Sequence, residues 1–163
     1  MSDLRPAHDR ALRQAQGAAW HTRHTVRFAH CDPAGIVFYP RFFEIAHEAK
    51  EEWFRAIAGV PFQQFVGTRG RGLPIVRLEA DFFAASRHGD ELDIAITVAQ
   101  LGRSSLHLHY AFACGGEPRL AIRTVIVQTD LRTGRPVPID GELRERIEAF
   151  RAQPGALATG AQA

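Results

Sequence analysis

At 163 residues and 45% hydrophobic content, the chain is long enough for one domain with its own core and too apolar for a disordered segment. Its net charge is only +2, and its nineteen arginines and single lysine, Lys50, are scattered, which argues against the basic stripe of a nucleic-acid binder. Two cysteines, Cys31 and Cys114, exclude a disulfide framework, and no long apolar run or signal-like segment occurs, so a cytoplasmic protein clear of the membrane is expected.

Residues 1–20, charged and poor in apolar positions, predict a peripheral segment. Residues 22–29 alternate, with His24, Val26 and Phe28 on one side and Arg23, Thr25 and Arg27 on the other, which predicts a half-wet strand. The turn "CDPAGIVF" follows. Apolar residues then recur at Phe42, Ile45, Ala46, Ala49, Trp53, Ala56 and Ile57, one face of a helix whose other faces carry Glu44, Glu48, Glu51, Glu52 and Arg55. Pro40 suits its first turn, and Gly59 with Pro61 ends it.

After the loop "TRGRG" the period changes to two. Val76, Leu78, Ala80 and Phe82, then Leu92, Ile94, Ile96 and Val98, then Leu106, Leu108, Tyr110 and Phe112 mark three strands joined by hairpin-like connections. A fourth, "RLAIRTVIVQTD", is apolar on both faces at its centre and so should be interior. A short amphipathic segment, "GELRERIEAF", completes a domain at 21–150, and the polar, small-residue tail 151–163 predicts disorder. One long helix with about five antiparallel strands is α+β, the sheet curling around the helix. GxGxxG and Walker patterns are absent.

The run "HCDPAGIVFYPRFF" leading into the helix, followed by four alternating strands, resembles the 4-hydroxybenzoyl-CoA thioesterase family of hotdog-fold acyl-CoA thioesterases, over about residues 22–150. The resemblance implies hydrolysis of an acyl-CoA thioester with no metal or organic cofactor. Such a reaction needs a nucleophile or general base at the carbonyl carbon and a donor aimed at its oxygen. The family pattern implies Asp32 for the first and the backbone N–H of Tyr39, at the helix N-terminus, for the second. Gly35 would supply positive φ and a close approach.

Asp32 could equally stabilise its own turn, as Asp before Pro commonly does. His30 is open to two readings, orienting Asp32 or bonding nearby backbone. Cys31 should point away from Asp32 and reads as structural. His107 and His109 could form half a metal site, but no further ligand set appears at suitable spacing, so a sheet face or subunit contact is expected.

By resemblance the hairpin "LGRSS" contacts CoA through Arg103, Ser104 and Ser105, and the acyl pocket lies near Phe38, Phe43 and His47 and beside Pro74 and Ile75. Aromatic lining suits a small aromatic acyl group such as a benzoyl or hydroxybenzoyl, and a short aliphatic one is the alternative. Phe38, Leu73 and His47 depart from the 4-hydroxybenzoyl enzyme's pattern. The family pairs through its sheets with shared active sites, implying a homodimer and commonly a homotetramer. A hotdog dehydratase and a non-catalytic acyl-CoA binding protein remain rival readings.

Overall fold

The computed structural model describes residues 18–153 and the backbone of 158–159. Its main sheet has five long strands, β1 (Trp20–Thr25), β3 (Ile75–Phe82), β4 (Glu91–Leu101), β5 (Ser105–Cys114) and β6 (Glu117–Val127), all antiparallel in the order β3-β6-β5-β4-β1. As its sequence suggests, β6 is interior. Two short strands, β2 (Arg71–Gly72) and β7 (Thr129–Asp130), pair separately.

Helix α1 runs Tyr39–Ala58 and ends at Gly59, whose φ of 67° is the left-handed conformation that glycine adopts without strain. It buries Phe42, Ile45, Ala46, Ala49, Trp53 and Phe54 against the inward rows of the sheet, in a single core with Ile94, Leu108, Phe112 and Ile122. Phe42 meets Phe82 and Phe112 edge to face, at centroid distances of 5.9 and 6.0 Å. This is the α+β arrangement expected of a hotdog domain. Helix α3 (Gly141–Ala152) covers the far end of α1, where Phe150 packs on Trp53.

Several boundaries differ from the sequence reading. Strand β1 starts at Trp20 and stops at Thr25, because Val26 turns its N–H to Asp90 O (2.8 Å) and accepts from Gly89 N–H (3.0 Å) instead of continuing the ladder. Phe28 is therefore exposed rather than part of a strand face. A six-residue helix, α2 (Phe62–Gly67), was not expected and buries Phe65. Ala56 on α1 is exposed, and Phe54 takes a core position instead.

The segment expected to be peripheral lies outside the described residues up to 17, while Ala18 and Trp20 are buried. In the tail, α3 extends to Ala152, and Ala158–Thr159, labelled β8, pairs in parallel with the start of β1. The rest of 154–163 lies outside the described residues.

Phe112 is fully buried at the centre of the aromatic contact with α1. Phe112→Ala is expected to destabilise the domain by about 3–5 kcal/mol, measured as a lower urea midpoint with an unchanged slope.

Candidate active site

The chain between β1 and α1 is fixed by backbone pairing. Cys31 and Val37 form an antiparallel bridge, and the N–H of Phe38 donates to His30 O at 2.9 Å. The Val37 N–H donates to Ser86 O (2.9 Å) and Ile36 bridges Arg87, which ties the loop to the connection before β4. Within it the Asp32 N–H reaches Ile36 O and the Gly35 N–H reaches Asp32 O, each at 2.9 Å. Gly35 has φ 75°, and nothing lies within 4 Å of a Cβ built there. Glycine is thus needed for the dihedral, and the close approach expected at this position is not found within the chain.

Asp32 is half-buried, and its Oδ1 accepts the Ala34 N–H at 2.8 Å. This is an Asx turn, the structural role that Asp before Pro suggests. It uses one carboxylate oxygen; among the described residues Oδ2 accepts no hydrogen bond.

The start of α1 presents an unusual donor pattern. Phe38, at the N-cap, has no side chain able to cap, and Pro40 has no N–H. The Arg41 N–H is taken by Phe38 O at 2.9 Å. Tyr39 is left with a backbone N–H that meets no acceptor among the described residues, at the positive end of a twenty-residue helix. The Cys31–Val37 bridge ties the loop that carries Asp32 to the residues leading into this terminus.

Beyond the terminus, the side of α1 bearing Phe43, Ala46, His47 and Lys50 lines an open cleft whose other walls are Ile75 and Leu78 of β3, Tyr110 of β5, and Ile122 and Thr124 of β6. Phe43, His47 and Ile75 are gathered there as expected. Phe38 and Pro74 are not: Phe38 is exposed against Tyr39, and the exposed Pro74 gives its carbonyl to the Val127 N–H at 3.1 Å. His47 Nε2 lies 3.0 Å from Glu51.

Three polar residues of this cleft were missed. Burial pushes the Tyr110 phenol well above its ordinary pKa, so it stays neutral, with Thr124 on the neighbouring strand. Lys50 is only 3% exposed, and burial lowers its pKa, opposed by nearby Glu51. Tyr110 and Thr124 could have been found from the inward alternation of their strands. Lys50 lies two helical turns after Phe43, but the glutamates around it gave no signal that this face is covered.

The remaining candidates separate clearly. His30 Nδ1 accepts the Arg27 N–H at 3.0 Å, so of its two readings the backbone bond is the one observed. The Cys31 thiol points at Arg27 O, 3.8 Å away. His107 and His109 lie on the outer sheet face with Arg77, Glu79 and Arg123, and among the described residues no three His, Cys, Asp or Glu gather as a metal-binding group.

Arg103 is exposed in the β4–β5 hairpin, whose backbone is fixed by Gln128 N–H to Ser104 O and Ile139 N–H to Arg103 O, both 2.7 Å; Ser105 opens β5. This hairpin and the Asp32 loop sit at opposite ends of the eleven-residue β4. They are roughly 35 Å apart, so one chain does not bring its own Arg103, Ser104 and Ser105 to its own Asp32.

The family model of the thioesterase-like superfamily matches residues 26–147. The 1,4-dihydroxy-2-naphthoyl-CoA hydrolase of Synechococcus elongatus is 27% identical over 132 residues, spanning 80% of this chain and 96% of that protein. A gentisyl-coenzyme A thioesterase structure superposes with a TM-score of 0.70 at 26% identity, over 79% of this chain and 98% of that one. The 4-hydroxybenzoyl CoA thioesterase of Pseudomonas sp. strain CBS-3 shares the fold, with a TM-score of 0.71 at 24% identity over 78% and 98% of the two chains. A match over most of the domain, on this strand, turn and helix, identifies the chain as a member of the thioesterase-like superfamily and a hotdog-fold thioester hydrolase.

Proposed function

We propose that this protein is an acyl-CoA thioesterase that cleaves an aromatic acyl-CoA to the free acid and CoA, working as a homodimer in the cytoplasm. The observation that carries the reading is the pairing of Asp32, with one carboxylate oxygen unused, and the unpaired Tyr39 N–H at a helix N-terminus beside an apolar cleft. The relatives named for naphthoyl and gentisyl thioesters favour an aromatic acyl group, as does the Phe43 wall. They favour a hydroxylated ring without singling out 4-hydroxybenzoyl. Both cysteines are free, in keeping with a reducing compartment.

Two routes use these groups. In the first, an Asp32 oxygen bonds to the thioester carbon while the Tyr39 N–H takes the charge growing on the carbonyl oxygen. The C–S bond breaks, and the thiolate leaves with its electron pair. Water then cleaves the acyl-aspartyl anhydride, freeing the acid and restoring the carboxylate. In the second, Asp32 takes a proton from the attacking water and passes it to the departing thiolate. A thiolate leaves without a strong general acid, and neither route requires a metal or organic cofactor.

The topology supports a shared site. Among the described residues strand β3 ends the sheet with its outer edge unpaired, and its Ile75, Val76, Leu78 and Phe82 are exposed, Val76 to 62%. A long apolar edge of this kind calls for a partner. The Phe82 end of β3 lies toward the Asp32 loop, since Phe83 and Ala84 bond Arg119 O and Arg119 lies 3.9 Å from Asp90. The Ile75 end lies toward the β4–β5 hairpin, where Val127 meets both Pro74 and Ser105. Antiparallel two-fold pairing of β3 with its copy would therefore carry the partner's hairpin toward this chain's Asp32, with Arg103 and the two serines reaching the CoA phosphates.

Thiol release from benzoyl, gentisyl, 1,4-dihydroxy-2-naphthoyl and straight-chain acyl-CoAs is expected to favour the aromatic members, and Asp32→Asn is expected to lose at least ~10² in kcat/KM. Equal release by both proteins would reduce Asp32 to its Asx turn, and no release from any substrate would favour the binding-protein reading. Sedimentation equilibrium is expected to give at least twice the chain mass; a monomer at micromolar concentration would remove the shared site.

A further inference from the structure

Lys50 is the only lysine of the chain, and 97% of it is withdrawn from solvent at the wall of an apolar cleft. An ammonium in such a place is ordinarily neutralised by a carboxylate, because removing an unpaired charge from water is costly. Here no carboxylate pairs with it among the described residues, and no hydrogen bond to its Nζ is found there. What Nζ meets is the face of the Phe62 ring, 5.4 Å from the centroid. That contact offsets part of the desolvation but uses none of the three N–H donors. The same cleft is lined by the neutral Tyr110 phenol and Thr124 as well as by the apolar Phe43, Ile75 and Leu78.

Lys50 follows Tyr39 by eleven residues, about 16 Å along the helix axis. His47 and Phe43, which line the same cleft, lie one and two helical turns nearer that terminus, so the cleft runs along the helix from Lys50 toward Tyr39.

We propose that Lys50 is the specificity-determining residue of this cleft, donating a hydrogen bond to an oxygen substituent, a phenolic hydroxyl or phenolate, on the ring of the bound aromatic acyl group. The inference rests on the thioesterase reading only in taking the cleft as the acyl site. A ring oxygen gives the buried amine the acceptor it lacks, and an unsubstituted ring leaves it without one. Burial lowers the pKa of the amine, and in either protonation state it has N–H donors to offer. Sites built to hydrogen-bond a substrate oxygen discriminate against analogues lacking it more strongly than apolar pockets discriminate by shape.

The test measures kcat/KM for gentisyl-CoA and benzoyl-CoA with wild type and Lys50→Met, alongside equilibrium binding of gentisate and benzoate to both proteins. Wild type is expected to prefer the hydroxylated thioester by about tenfold or more, and Lys50→Met is expected to bring that ratio to within about threefold of unity. A wild-type ratio near unity, or a ratio that Lys50→Met leaves unchanged, overturns the proposal. If wild type turns over neither substrate, the thioesterase reading fails and binding decides this one. Gentisate bound more tightly than benzoate by wild type but not by the variant upholds Lys50 as the ring-oxygen donor, and equal binding overturns it. Should Lys50→Met not fold, Lys50→Leu, which also lacks a donor, takes its place, and the same ratio decides.

Discussion

The Phe38 N–H to His30 O hydrogen bond and the Cys31–Val37 bridge beside it hold two dissimilar pieces of chemistry together. They close the loop that carries Asp32 and, in the same step, set the direction in which α1 departs. The helix cannot shift along its axis without breaking the loop, and the loop cannot swing without moving the helix terminus. Because α1 is also seated in the core through Phe42, Ile45 and Trp53, the position of the Tyr39 N–H is fixed by the packing of the whole domain. A carboxylate and a donor placed this way need little reorganisation when charge develops between them, which is the condition under which electrostatic stabilisation is most effective.

The sequence of the helix start has a matching logic. A serine or aspartate at position 38 would satisfy the first-turn donors and stabilise the helix by about 1 kcal/mol. Phe38 forgoes that stabilisation, and Pro40 removes a competing N–H, so that the terminus offers its donor at Tyr39. The polar half of the candidate site, by contrast, cannot be completed within one chain, since β4 separates its Asp32 loop from its Arg103 hairpin by its full length. The exposed apolar edge at β3 and the separated half-sites are two consequences of one topology, and a two-fold copy would answer both.

How much of this was legible in the sequence depended on how many residues each feature involved. Helix α1 declared itself through repeated apolar positions over several turns, and four strands through alternation of inward Leu, Ile and Phe. Helix α2 has six residues, too few to establish a period. The end of β1 was misread because His24, Val26 and Phe28 go on alternating, whereas the ladder stops where Val26 turns to Gly89 and Asp90, residues more than sixty positions away. The turn at Asp32 and Gly35 and the helix start at Tyr39 were legible because each is local to a few consecutive residues. The cleft was only half legible: Phe43, His47 and Ile75 are the residue types expected of a pocket, while Lys50 among glutamates reads as a solvated face. Only the packing of Phe62 and β3 beside it reveals that the face is covered.

Lys50 also bears on what the cleft excludes. A pocket of the same shape lined only by Phe43, Ile75, Leu78 and Ile122 would accept aromatic and aliphatic acyl groups nearly alike, since a methylene more or less changes binding by only about 1–3 kcal/mol. A buried amine changes the comparison. A ring oxygen would give Nζ an acceptor that an alkyl chain or bare ring cannot, so the proposed hydrogen bond would favour the hydroxylated substrate over the others. The apolar walls then set the size of the acyl group, and one donor sets its chemistry. That division requires the donor to be held rigidly, and helix α1, pinned at its start by the Asp32 loop and at its far end by Phe150 on Trp53, provides the mounting.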